Sequence, residues 1–367
     1  MNQKKILVKA YAATNLGDDL FLKILTNRYP EVEFTLLGGN RQGIYNRFSS
    51  YRLLPVLSDL TRKLLLVFNK TVAKKFTYKA IYKRLKKSST DYDASLLLGG
   101  SMFIQNHSGF TENDIVKTSL LSYKHSFVVG ANFGPYLEDE YLTKYRDYLS
   151  KCEGVTFRDR YSYELLGRLS NSMFCPDVVF QLRPTKSKLI PNTVGLSVID
   201  LSQRGNLSIK QEAYLKLLID IAKSLIKDNK VVYLFSFCKI EGDEQVVEVI
   251  ADAVDRNKIN VVNYRGDIDK FLEIYSSMEC MFCSRFHAMI LSLIYSQRMV
   301  PLVYSKKMTQ VLDDISYTGK LIDINSIEDY DALQVIDMLY KSQYELPESI
   351  VQESEDMFKF LDKFIKK

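Results

Sequence analysis

Residues 280–303, CMFCSRFHAMILSLIYSQRMVPLV, decide the architecture. An apolar run, Cys280 to Cys283, stops at Ser284-Arg285, and a helical stretch opens with Arg285 and His287 in its first turn. A second apolar run, Pro301 to Val303, follows it. Strands that face solvent on one side alternate apolar and polar residues. Continuous apolar runs suit strands covered on both faces of a parallel sheet.

The same unit recurs on either side. Ile6 to Lys9, Glu33 to Leu37, Ser95 to Leu98, Phe127 to Gly130 and Val155 to Phe157 read as strands before it. Val194 to Ile199, Val231 to Ser236, Asn260 to Asn263 and Leu321 to Ile324 belong to its own half. Strand and helix alternating throughout define an α/β protein. The series is interrupted at Leu182 to Thr193, LRPTKSKLIPNT, where two prolines and three basic residues show neither period. This stretch reads as a linker between two doubly wound, Rossmann-like domains, residues 1–185 and 190–344. A last helix, Ser349 to Lys366, is capped in this reading by Ser349. With Ile350, Met357, Phe358, Leu361 and Phe364 it offers an apolar side, and 345–367 is expected to pack back onto the first domain.

A chain of 367 residues suits two ordinary domains, and 46% hydrophobic with 26% charged residues excludes disorder by composition. The N-terminal apolar run is too short for a signal peptide and reads as the first strand; no stretch has the length of a membrane span. Five scattered cysteines fit a reducing compartment, and a cytoplasmic location is expected. Cys280 and Cys283 form a lone CxxC inside an apolar run and read as core residues. No cluster of Asp, Glu, His or Cys has metal-ligand spacing, so no metal is expected. Of the basic residues, ten lie between Thr61 and Thr90 with no acidic residue among them, and the rest of the chain is net negative. Nucleic-acid binding would need a wider basic surface and a recognisable module, and is not expected.

In open α/β sheets ligands bind beyond the carboxyl ends of the strands, and the unusual residues sit there. Asn15-Leu16-Gly17-Asp18 follows the first strand; Gly17 permits a tight turn, and Asp18 is either a helix cap or a functional acid. Gly99-Gly100-Ser101 follows another strand, as a turn or a close approach to ligand, and Gly130 to Pro135 is placed in the same way. Arg158 ends a strand, facing a crevice or pairing with Asp159 or Glu164. Arg285 and His287, beside the free N–H groups of a helix start, make a site for phosphate or carboxylate.

The blocks NLGD, LLGGS, GANFGP, VTFRDRYSYELL, CPDVVF and CSRFHAMILSLIYSQRMVPLVYSKK stand in the order and roughly the spacing of polysaccharide pyruvyl transferases, and from about Ile6 to Leu312 the chain resembles that family. Two departures are visible: Arg298-Met299-Val300 replaces the usual Gly before the Pro, and Phe286 stands where Leu is commoner. The resemblance implies two Rossmann-like domains facing a cleft, as in the GT-B-like glycosyltransferases. It implies a cytoplasmic transferase of exopolysaccharide, capsule or cell-wall synthesis that moves pyruvate from phosphoenolpyruvate, a co-substrate, onto two hydroxyls of a sugar as a cyclic ketal, with no further cofactor. The second domain would be the donor side and the first the acceptor side. Arg158, Arg285 and Lys307 would clamp the donor, with His107 beside them. His287 is the expected general acid and Asp18 the expected base, while Asn15, Gly17, Gly99, Gly100 and Ser101 would line loops or the acceptor site. The acceptor would be a lipid-linked saccharide or a nucleotide-sugar. Two other readings stand beside this one: a nucleotide-sugar glycosyltransferase of the same architecture, and a non-catalytic polysaccharide-assembly subunit. The usual sugar-contacting acidic motif of the former is not evident in the second domain; Glu241-Gly242-Asp243-Glu244 lies at a possible position but before a different helix.

The basic stretch 61–90 has a helical period. Leu64, Leu65, Val67, Phe68, Val72, Phe76, Ile81 and Leu85 are its apolar positions. Such a helix on an otherwise acidic protein either packs on the first domain with a solvated basic face or meets an anionic membrane at the inner face, and one helix can do both.

Overall fold

The computed structural model describes residues 3–11, 13–38, 51–54, 70–183 and 187–367. The chain forms two compact units. Unit 1 comprises Met1–Ala13, Phe21–Val178 and Glu353–Lys367; unit 2 comprises Thr14–Leu20 and Val179–Gln352. The division falls ahead of the expected linker, and the strand Ile190–Ser197 begins inside that linker. Three of its residues bulge opposite Glu279, where the register slips between Met278 and Cys280; this outer end of the strand is exposed and tolerates Pro191.

Unit 1 holds a seven-stranded sheet in the order β3-β2-β1-β4-β5-β6-β7, every pairing parallel. Its strands are β1 Lys5–Lys9, β2 Glu33–Leu37, β3 Arg52–Leu54, β4 Ala94–Leu98, β5 Ser126–Ala131, β6 Gly154–Phe157 and β7 Ser172–Phe174. All five residues of β4 are buried, as the continuous apolar run requires, and the hydroxyl of Ser95 within it donates to the Leu120 carbonyl at 2.7 Å. β3 and β7 were not expected. Each is a three-residue edge strand with no apolar run long enough to announce it.

Unit 2 holds a six-stranded parallel sheet, order β10-β9-β8-β11-β12-β13. The strands are β8 Ile190–Ser197, β9 Val231–Ser236, β10 Ile259–Asn263, β11 Met278–Cys283, β12 Arg298–Val303 and β13 Ile322–Asp323. In each sheet the chain winds outward in both directions from two central strands, β1 and β4 in unit 1, β8 and β11 in unit 2. Those switch points are where the carboxyl ends of neighbouring strands open a crevice.

All five cysteines are buried and none is in a disulfide; burial pushes the thiols of Cys280 and Cys283 up to about 11 and about 12, as for inert core residues. Among the described residues no helix is long and apolar enough to cross a membrane. Of the basic stretch, 61–69 and the side chain of Val72 lie outside the described residues, including Leu64, Leu65, Val67 and Phe68. The helix Lys70–Ser88 buries Ile81 and Leu85 in the core of unit 1. Phe76, expected on that apolar side, is 56% exposed instead.

The C-terminal segment is two helices, Glu348–Glu355 and Lys359–Ile365, joined by a 3₁₀ turn at Asp356–Phe358. The first helix starts at Glu348, so Ser349 is inside it rather than its cap. The break has a partner: the Met357 carbonyl accepts from the Thr156 hydroxyl of β6 at 3.0 Å. Met357, Phe358 and Leu361 are fully buried. Gly154 leaves room for Phe360 between them, since a Cβ there would meet that residue's Cβ at 2.2 Å. Asp362 then accepts from Arg28 at 2.7 Å and from the Tyr29 hydroxyl at 2.6 Å. Leu361→Ala should therefore destabilise unit 1 by about 2–5 kcal/mol, the usual cost of a truncated core leucine. Chemical denaturation with an unchanged midpoint would show that this segment does not belong to the core.

Candidate active site

In unit 2 the expected site residues Asn15, Gly17, Arg285, His287 and Lys307 converge on one network. Thr14–Leu20 belongs to this unit because its backbone is fixed there. Asn15 bridges Cys238, and the Leu16 N–H donates to the Phe237 carbonyl at 3.2 Å. The Asn15 side chain accepts the Gly17 N–H at 3.0 Å, so Asn15 holds the start of the helix Leu16–Arg28. Asp18, expected as cap or base, is the half-buried third residue of that helix. The acid locked in place is its neighbour: Asp19 is fully buried and accepts from the Tyr264 hydroxyl at 2.7 Å. Two adjacent aspartates look alike in a sequence, and the helix turn decides which points inward.

His287 lies flat against this backbone. A Cβ on Gly17 would stand 1.8 Å from its Nδ1, so only glycine admits the imidazole. The ring also meets Phe286 edge-on, with centroids 5.0 Å apart.

Arg285 caps the helix Phe286–Ile294 just past the end of β11, and its N–H donates to the Ser197 hydroxyl at 3.3 Å. Its guanidinium is occupied. Nε donates to Asp243 Oδ2 at 3.0 Å, a second nitrogen to Asp243 Oδ1, and the third to Glu241. Asp243 also accepts the N–H groups of Phe237 and Cys238, both at 2.9 Å. Burial would lower the Arg285 pKa, but the two carboxylates outweigh it and hold the guanidinium charged. Burial pulls the Asp243 carboxyl up against the opposing Arg285 charge. Burial would raise Glu241 as well, and there Arg285 and Arg204 win and hold it below the usual range. The acidic residues of the run 241–244 are thus committed: Glu241 and Asp243 to Arg285, Glu244 to Lys239 and Arg265.

Two residues of this cluster, Arg204 and Tyr304, were not expected from the sequence. Glu241 also accepts from Arg204 at 2.8 Å and faces Asn15 Nδ2 at 3.5 Å. The Arg204 guanidinium carbon stands 5.1 Å from the ring centre of Tyr304, and Lys307 Nζ stands 5.6 Å from the Tyr304 and Phe286 rings. Arg204 comes from an irregular stretch with no motif. Tyr304 was visible within the Y-x-x-K that ends in Lys307. Arg204, Arg285 and Lys307 thus bring three cations to one end of the sheet, as recognition of an anionic ligand would need.

Unit 1 presents a second arginine in the same way. Arg158, one residue past β6 and 3% exposed, donates to Asp177 at 3.0 Å and to Asn132 at 2.8 Å. Asp159 beside it caps the helix Arg160–Leu165 by accepting the Ser162 N–H at 2.7 Å, and Glu164 pairs with Arg168 at 2.9 Å. The guanidinium covers Gly100, where a Cβ would come within 2.0 Å of it. Gly99 adopts φ +127°, a conformation that favours glycine. Ser101 and His107 are exposed, and the structure does not bring His107 into the Arg158 cluster.

Two Rossmann-like units with charged clusters at their strand ends define a protein of the GT-B-like class, and solved structures bear this out. Similar in fold are the UDP-GlcNAc 2-epimerase of Methanocaldococcus jannaschii (10% identical, 98% of this chain and 99% of that one, TM-score 0.62), TarM of S. aureus (10%, 100% of both, 0.57) and a glycosyltransferase from Rickettsia africae ESF-5 (12%, 99% and 94%, 0.53). No curated protein is similar in sequence. The polysaccharide pyruvyl transferase family model matches residues 15–306, well over half of the chain, and the chain belongs to that family.

The contact between Gly17 and His287 is open to test. Gly17→Ala should leave the fold intact, because alanine suits a helix, yet push the imidazole aside by an ångström or more. A displacement of that size costs about 100-fold in turnover. The His287 ring resonances should move in the NMR spectrum; unmoved resonances would show that the close approach does not exist in solution.

Proposed function

We propose that this chain takes phosphoenolpyruvate as donor and forms a cyclic pyruvate ketal on two hydroxyls of a sugar. The observation that carries this reading is the grouping of Arg285, Arg204, Lys307 and His287 just beyond the strand ends of unit 2. Phosphoenolpyruvate carries a phosphate and a carboxylate, and a group of cations beside a helix N-terminus suits both. The chemistry requires an acid that protonates the methylene carbon, which leaves cationic character on the central carbon. One hydroxyl adds there; the second closes the ring as phosphate departs. His287 is the acid in this scheme. The cations do not stabilise the nascent carbocation. They orient the donor and take up the charge of the leaving phosphate.

Phosphoenolpyruvate at about 100 times its dissociation constant should stabilise the protein by about 2.7 kcal/mol, read as a rise in Tm. His287→Ala should keep most of that rise and lose about 100-fold or more in turnover. A rise with nucleotide-sugars and none with phosphoenolpyruvate would replace this reading with a glycosyltransferase. Full cellular function in His287→Ala would leave a non-catalytic subunit. Arg285→Ala is a poor probe of binding, since it strands two carboxylates of which one is fully buried, at a cost of about 3–5 kcal/mol.

The acceptor in this proposal is a saccharide held at an anionic membrane surface. The helix Lys70–Ser88 supports it. Opposite buried Ile81 and Leu85 it exposes Lys79, Lys83, Lys86 and Lys87 together with Phe76 and Tyr82, the last 49% exposed. Lysines interleaved with aromatics fit a headgroup layer, and each basic residue adds about 1 kcal/mol at such a surface. Purified protein should float with anionic liposomes at low salt and be released at high salt. Flotation that survives replacement of Lys83, Arg84, Lys86 and Lys87 by Glu would exclude this helix as the contact.

A further inference from the structure

The ketal reaction needs a group that accepts protons from the sugar hydroxyls, and the two carboxylates bound to Arg285, like buried Asp19, are poor candidates. Asp243 accepts four hydrogen bonds. Glu241 is shared between two arginines, which weaken it as a base. Asp19 is buried under Tyr264. Tyr304 differs from all of these. It is the first residue past the end of β12, the strand next to β11, so it emerges at the same edge of the sheet as Arg285. Cations face it from three directions. Lys307 comes from the helix Lys306–Asp314, Arg204 from the segment after β8, and Arg285 from the turn after β11. Of the acids around these cations, Glu241 accepts from both arginines, Asp243 from Arg285, and Asp200 lies against Gly242 between them.

Resting on the transfer reaction proposed above, we propose that Tyr304 is a further catalytic residue of this site and serves as its base, taking the proton of the attacking sugar hydroxyl as a phenolate. A phenolate is a stronger base than a carboxylate, and its charge is offset by the cations around it. The titration of the group agrees. Burial would raise the phenol, but Lys307, Arg204 and Arg285 outweigh it and hold Tyr304 below the usual tyrosine range. Burial raises the other tyrosines with shifted pKa values, Tyr214 and Tyr275 of the same unit among them.

The protons balance over one turnover. His287 gives its proton to the methylene carbon while the first hydroxyl oxygen bonds to the central carbon and its proton passes to Tyr304. On ring closure the second hydroxyl oxygen bonds to the same carbon and its proton returns to His287. The phosphate leaves with the electrons of the broken C–O bond and carries away the proton held by Tyr304. Both side chains end in their starting states.

The first test needs no substrate, so it stands or falls apart from the donor assignment. Near-ultraviolet absorbance of the protein titrated with alkali should show one tyrosinate forming at lower pH than the rest. Tyr304→Phe should abolish that step, and Lys307→Met should move it to higher pH. The second test uses phosphoenolpyruvate and a saccharide acceptor. Tyr304→Phe should lower kcat by about 100-fold or more, leave KM for phosphoenolpyruvate within a few-fold, and erase the rise of rate with pH on the acid side of the profile. Absence of an early tyrosinate would overturn the proposal, as would a Tyr304→Phe enzyme with unchanged kcat and the rising limb intact. If Tyr304→Phe does not fold, Lys307→Met decides by the direction of the tyrosinate shift.

Discussion

The structure of unit 2 depends on one buried ion network. Arg285 sits at a strand end where its charge is almost wholly out of water, and such a charge costs several kcal/mol unless it is met. Asp243 meets it with both oxygens, and Glu241 completes the third side. Asp243 would itself be untenable without the N–H groups of Phe237 and Cys238. The chain after β9 must therefore turn so that these amides point at the carboxylate. Cys238 in turn anchors Asn15, which starts the helix bearing Gly17, against which His287 lies. Three segments far apart in sequence, 15–17, 237–243 and 285–287, are thus fixed by the need to neutralise one guanidinium.

Unit 1 solves a similar problem with fewer parts. Arg158 also follows a buried strand, and Asp177 and Asn132 balance it. Gly100 gives up its side chain so that the guanidinium can lie over the backbone. In both units the arginine is oriented before any ligand arrives, so a ligand need not spend binding energy ordering a long side chain. The cost falls on sequence freedom: a glycine beside each site, and acids whose only evident task is to hold a cation.

Much of this was legible beforehand. Apolar runs located eleven of the thirteen strands, because a strand covered on both faces leaves an unbroken hydrophobic signature. Arg285, His287, Lys307 and Arg158 could be picked out as cations or imidazoles where a strand gives way to a helix or loop. Their partners could not. Glu241 and Asp243 stood only in an acidic run at a possible position, and Asp18 was singled out where its neighbour Asp19 is the buried acid. An ion pair over forty residues leaves no periodic trace, and a helix turn cannot be read to one residue.

The sequence by itself determined the class: two parallel sheets, family membership, and which residue types stand at the strand ends. Local pattern suffices there, since burial on both faces and helix starts are short-range properties. Only the tertiary structure decided that Thr14–Leu20 belongs with the second unit, that Arg285 is neutralised by its own fold, and that Tyr304 stands among three cations. These outcomes depend on charges brought within a few ångströms by the winding of the sheet. Electrostatic energy follows distance in space and is indifferent to separation along the chain.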